Sequence, residues 1–191
     1  MKKLILLILA VSLFNNSFSQ KIVVDKVNEH GERFVFCSEK FVTTLKDMTK
    51  ISVSLHAAQK SDDAPLYSIL IRILKVDGSP FSMPKGSRFL IKLTDDSVIE
   101  LKSREECPGE LKIDRTVNGW VKEIYEATPS FDITKEQLLK VFSGVKKVRF
   151  ETSLDNIDKE FDKDKIGVLL KKEFDLINEA LSKEKDFSSD F

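Results

Sequence analysis

His30 and His56 are the two side chains of this 191-residue sequence whose ordinary pKa lies near neutrality, so acid–base chemistry is sought first around them. His30 sits in Asn28-Glu29-His30-Gly31-Glu32, a run of turn-forming residues. His56 has more suggestive neighbours. Alternation over residues 51–56 places Ser52, Ser54 and His56 on one strand face, opposite Val53 and Leu55, and Asp62 and Asp63 follow in the next loop. A nucleophile and its base could begin this way, but acyl transfer also requires contact between them, an orienting acid and an oxyanion hole. Neighbours on a solvated strand face produce the same pattern without chemistry, and that is the expectation adopted. No residue is assigned as catalytic, and an enzyme of unrecognised type with a site near His56 is the alternative. The chain has no G-x-S-x-G, H-E-x-x-H, phosphate-loop or dinucleotide signature. Glu105-Glu106 form a carboxylate pair, but adjacency among 31 acidic residues carries no information.

Metal and thiol chemistry fare similarly. Asp162, Asp164, Gly167 and Glu173 fall at the spacing of a calcium loop, yet Ile166 stands where an oxygen ligand is required and Leu170 supplies none either. These acidic residues are expected to be surface charges at a helix start. No metal site and no cofactor is expected. Cys37 and Cys107 lie in neither a C-x-x-C nor a cysteine/histidine ligand spacing. In an oxidising compartment they could form one disulfide, although Cys37, within Phe34-Val35-Phe36-Cys37, is equally suited to a buried free thiol.

The compartment follows from residues 1–19. Lys2 and Lys3 precede an apolar run over residues 4–14, and Ser17-Phe18-Ser19 offers small residues at both positions a signal peptidase reads. Cleavage after Ser19 would leave a chain starting at Gln20. The apolar run is shorter than the roughly twenty residues a membrane helix needs, and no cysteine at the junction awaits a lipid. A transmembrane barrel requires a last strand of alternating polarity, which residues 182–191 lack. The expected product is exported and soluble, periplasmic or extracellular.

The elements that would hold any site are mostly strands. Residues 21–27, 33–43, 51–56, 67–76, 88–94 and 97–102 are rich in Val, Ile, Phe and Leu and are separated by turn residues. Asp95-Asp96 marks one hairpin, and Asn118-Gly119 marks another that sets Val117 opposite Trp120, Ile113 opposite Ile124 and, unfavourably, Arg115 opposite Lys122. Residues 77–87 form a loop whose Phe81 and Met83 either cover the core edge or serve as a binding loop. Thr134 and Gln137 make a capping box, Leu138, Leu139 and Phe142 form the stripe of the helix it starts, and Gly144 ends it. One more strand follows over residues 145–151. A final helix over about residues 158–183 carries Ile166, Leu169, Leu170, Phe174, Ile177 and Leu181 on one face. That stripe packs on the sheet or, alternatively, on a partner in an envelope complex. A short tail ends the chain.

Composition narrows the partners. Removing Lys2 and Lys3 from 31 basic residues leaves 29 against 31 acidic ones, a net charge of −2, which names no polyanionic or polycationic partner. No basic stripe with interleaved aromatics speaks for nucleic acid. Phe supplies 14 of the 17 aromatics, so few rings carry the polar handle that sugar-binding surfaces use.

The segments Arg88 to Leu101 (RFLIKLTDDSVIEL), Phe131 to Leu139 (FDITKEQLL) and Val145 to Glu151 (VKKVRFE), with the signal ending in Ser19-Gln20, resemble uncharacterised small exported proteins of Bacteroidota-type bacteria. The resemblance covers about a third of the chain and implies no activity. The expected fold is α+β: an antiparallel sheet or two-layer β-sandwich in a single β-rich domain over residues 20–191, with one inserted helix and a C-terminal amphipathic helix. The expected function is an exported non-catalytic binding or interaction module for a protein or a small molecule, with no nucleic acid and no membrane span.

Overall fold

The computed structural model describes residues 20–45, 48–60, 63–76, 79–117 and 120–183. The proposed signal segment, Asp62, the Asn118-Gly119 turn and the tail beyond Lys183 lie outside the described residues.

Among the described residues, two antiparallel sheets and two helices form the framework. The larger sheet has the path β1 (Ile22–Val27), β2 (Glu32–Cys37), β4 (Lys50–Lys60), β5 (Leu66–Val76), β11 (Trp120–Ala127) and β10 (Glu110–Val117). Two further strands join it: β3 (Lys40–Thr44) on β4, and β12 (Ser130–Ile133) on β5. The smaller sheet has the order β14 (Asn156–Glu160), β13 (Val145–Glu151), β7 (Arg88–Leu93) and β8 (Val98–Lys102). A short ladder joins β6 (Ser82–Met83) to β9 (Cys107–Pro108). The α+β class and the antiparallel sheets are as expected.

Period-two alternation decides which faces meet. On β5, Tyr67, Ile69, Ile71 and Ile73 are buried while Ser68, Leu70 and Arg72 are half-buried on the other face. Phe89, Ile91 and Leu93 do the same on β7. The sheets meet where Phe89, stacked at 4.5 Å on Phe150 of its own sheet, leans on Phe131 of β12 at 5.2 Å, and where Ser103 bridges Phe131. Burying rings of this size contributes about 2–3 kcal/mol each. Phe81 and Met83 are buried, so the loop they belong to covers the core. Gly109 makes that closure possible: its N–H donates to the Phe81 carbonyl at 2.7 Å, and a Cβ there would lie 2.2 Å from the same oxygen.

Helix α1 (Lys135–Val141) starts with the capping box of Thr134 and Gln137, and Gly144, at φ +127°, turns the chain into β13. Helix α2 (Ile166–Leu181) lies across the inner face of β1, β2 and β4, burying Ile166, Leu170, Phe174 and Ile177. Most of its stripe is therefore covered within the chain, with Leu169 and Leu181 half-buried. The expected start near residue 158 is corrected. Residues 156–160 are strand β14, and the helix begins where the Gly167 N–H donates to Asp164 Oδ1 at 2.8 Å. The expected single strand over residues 33–43 is also corrected. It breaks at Ser38-Glu39 into β2 and β3, and both pieces pair with β4.

Candidate functional site

Strand β4 does bring the sequence-derived pair together. Ser54 Oγ and His56 Nε2 are 3.1 Å apart. Among the described residues, no carboxylate hydrogen-bonds His56 to orient it. Ser54 is fully buried, contrary to a solvated strand face, and Phe36 of β2 pairs across from His56 and stacks on its ring at 4.2 Å. Burial pushes the imidazole down to about 4, and among the described residues no carboxylate contributes to that shift. The pair is thus a neutral hydrogen bond packed under an aromatic ring. His30 is exposed in a turn held by Asn28, whose Oδ1 accepts from the His30 and Glu32 N–H groups.

Cys37 and Cys107 are both free thiols. Cys37 lies beneath α2, where its Sγ donates to the Glu173 carbonyl at 3.7 Å, and burial, helped by the Glu173 charge, pushes the thiol up to about 12. Cys107, half-buried, accepts from the Thr128 N–H at 3.2 Å and is also raised, chiefly by burial. Thiols raised in this way are poor nucleophiles at neutral pH.

Glu173 is the residue that sequence reasoning misplaced. It is fully buried on the inner face of α2, not a surface charge at a helix start. Its Oε2 accepts from the Leu55 N–H at 2.7 Å, and its Oε1 accepts from the Gln20 side-chain amide. The break between β2 and β3 explains the first bond. In antiparallel pairing successive backbone N–H groups point to opposite neighbours, and Leu55 lies between the last β2 partner, His56, and the first β3 partner, Val53. A carboxylate from the helix takes the place of the missing strand carbonyl. Burial pushes Glu173 up to about 8 against the lowering effect of Leu55, Gln20 and Lys40. The position was visible as a carboxylate within the apolar stripe, between Leu170 and Phe174.

A surface depression lies on the outer face of the smaller sheet. Leu90, Lys92, Val98, Lys146, Lys147, Arg149 and Glu160 border a half-open depression of about 300 Å³, at the lower end of the range for small-molecule sites. Lys92 of β7 stands directly opposite Lys147 of β13, a like-charge pair of the kind that destabilises a sheet. Carboxylates at the rim hold these cations in place. Asp96 reaches Lys92 at 2.8 Å and Lys146 at 3.2 Å, and Asp158 reaches Arg149 at 2.6 Å and Lys147 at 3.4 Å. A second, smaller depression of about 200 Å³ lies on the larger sheet beside Phe34, Ala58 and Leu66. Among the described residues, no group of His, Cys, Asp and Glu is arranged to hold a metal ion, and no helix is long and apolar enough to cross a membrane.

No protein-family model, no curated protein sequence and no solved structure matches the chain.

Proposed function

We propose that the chain is an exported, non-catalytic binding module whose ligand is a small molecule with an anionic group and a short apolar part. The observation that carries this reading is the cross-strand pair of Lys92 and Lys147 at the edge of the depression bordered by Leu90 and Val98. Lys92 is already paired with Asp96, and Lys147 with Asp158 and Glu160. Four cations, Lys92, Lys146, Lys147 and Arg149, nevertheless face these three carboxylates, and a ligand anion would add a fourth negative charge while the aliphatic side chains take its apolar part. Asp96 already bonds Lys92 and Lys146 together, so a carboxylate suits this end of the sheet. The full burial of the Ser54 hydroxyl supports binding over catalysis.

NMR titration with hexanoate, hexyl sulfate and neutral hexanol tests the reading. Saturable shifts of the Leu90, Lys92, Val98 and Lys147 amides with the two anions are expected, weakened at least about tenfold in the Lys92→Gln/Lys147→Gln double variant, the size of one lost charge-assisted contact. Equal responses to hexanol and hexanoate, or none at these amides, would refute it.

A further inference from the structure

We propose that hydrolysis of the Ser19–Gln20 peptide bond during export delivers a new ammonium group to the buried Glu173 carboxylate, locking the processed chain with an ion pair that its precursor lacks. The proposal rests on the export reading above. The cleavage consumes one water and needs an endopeptidase of the exporting cell, leaving a carboxylate on Ser19 and an ammonium on Gln20.

Two observations and one bond-length limit bound where that ammonium arises. The Gln20 side-chain amide donates to Glu173 Oε1 and approaches the Ser38 carbonyl at 3.4 Å. The chain is fixed immediately afterwards, because the Ser38 N–H donates to the Lys21 carbonyl at 2.8 Å and Ile22 pairs with Cys37. The α-nitrogen of Gln20 is separated from its own side-chain amide by a short aliphatic stem, roughly 6 Å at full extension by standard bond lengths. Cleavage would therefore create the new charge within about 6 Å of the side-chain amide that already donates to Glu173.

The surroundings of Glu173 favour such a partner. It is fully buried on α2. Among the described residues, the titratable groups facing it are the Cys37 thiol from β2 and the Lys40 ammonium from β3, and its donors include one backbone N–H and one neutral amide. An ionised carboxylate so placed is costly unless a cation joins it. In the precursor the nitrogen of residue 20 is a neutral amide. In the processed chain it is an amine with an ordinary pKa of about 8, charged at neutral pH and held so by the carboxylate. A precursor without the pair has the weaker core and is the easier form to unfold for passage across a membrane.

The test compares four proteins: the chain beginning at Gln20 with a free amine, the same chain Nα-acetylated, and both forms carrying Glu173→Gln. Mass spectrometry must first confirm that Gln20 has not cyclised, a reaction in which the α-nitrogen bonds to Cδ and ammonia leaves. At pH 7 the free-amine chain is expected to melt about 4 °C or more above the acetylated one. The difference is expected to collapse in the Glu173→Gln background. The Glu173 carboxyl, followed by ¹³C NMR, should titrate about one unit or more lower in the free-amine chain. Equal melting temperatures, or a difference that persists in Glu173→Gln, overturn the proposal. The amino terminus of the exported protein is read separately by mass. A terminus at Gln20 supports both readings. A different terminus overturns the processing site and this proposal with it, whereas a Gln20 terminus with no stabilisation overturns this proposal alone.

Discussion

Removing the ionisable group from the interior while keeping its shape isolates what Glu173 does to stability. The substitution is Glu173→Gln, made in a chain whose residue 20 amino group is blocked by acetylation. Glutamine keeps an oxygen to accept the Leu55 N–H, the bond of 2.7 Å that fills the break between β2 and β3. Glu173 in the fold is pushed up from 4.5 to about 8, chiefly by burial. A folded pKa above the unfolded one means that the native state binds the extra proton. The stabilisation from this proton is complete below about pH 4.5 and is lost as pH rises toward 8. The slope is about 1.4 kcal/mol per pH unit, so the whole window is worth about 4–5 kcal/mol. Glutamine has no such dependence. Urea unfolding followed by far-UV circular dichroism at pH 5, 6, 7 and 8 should therefore show the variant within about 1 kcal/mol of the parent at pH 5. At pH 8 it should be more stable by about 3–4 kcal/mol. Parallel stability curves, or a variant that falls further behind as pH rises, would show that Glu173 is not held protonated in the fold.

Two further predictions concern groups the fold has buried. His56 titrates in the opposite sense: with its folded pKa lowered to about 4, the unfolded chain takes up the proton first, so stability falls as pH drops from about 6.5 to 4. Relative to His56→Gln, the parent should lose about 2 kcal/mol over that window after discounting for partial exposure; a difference that does not change with pH would contradict the burial of the imidazole. Arg33, buried at the end of α2, donates to the Ala180 and Lys183 carbonyls at 2.9 and 2.6 Å and forms a bidentate pair with Asp25. Arg33→Ala should cost about 3 kcal/mol in urea unfolding, because it strands helix-end carbonyls and a carboxylate, and a loss below about 1 kcal/mol would refute that role.

What the sequence revealed was what local chemistry decides. The capping box of Thr134 and Gln137 and the stop at Gly144 need only a few neighbouring residues, and both stand as expected. The alternation on β5 and β7 was legible because one face of each is fully buried, and the pairing of Val117 with Trp120 and Ile113 with Ile124 followed from a two-residue connection. Strand β14 was not legible. In Asn156–Glu160 only Ile157 is buried, so a strand with one covered partner side showed no alternation and was absorbed into the helix that follows. The depression on the smaller sheet was equally hidden, because Lys92 and Lys147 become neighbours only once β13 pairs with β7.

The deepest omission and the least expected strand break have one cause. A continuous strand over residues 33–43 would have satisfied every donor along β4, and then a carboxylate in the stripe of α2 would have had no reason to be there. With the strand divided at Ser38-Glu39, the Leu55 N–H faces the gap, and an acceptor must come from whatever covers the sheet at that point. Helix α2 covers it, and Glu173 is the polar residue on its inner face. A glutamate embedded among Leu170, Phe174 and Ile177 is thus the sequence trace of a missing strand carbonyl. Burial, opposed by the Leu55 and Gln20 hydrogen bonds and by the Lys40 charge, raises the pKa of that acid.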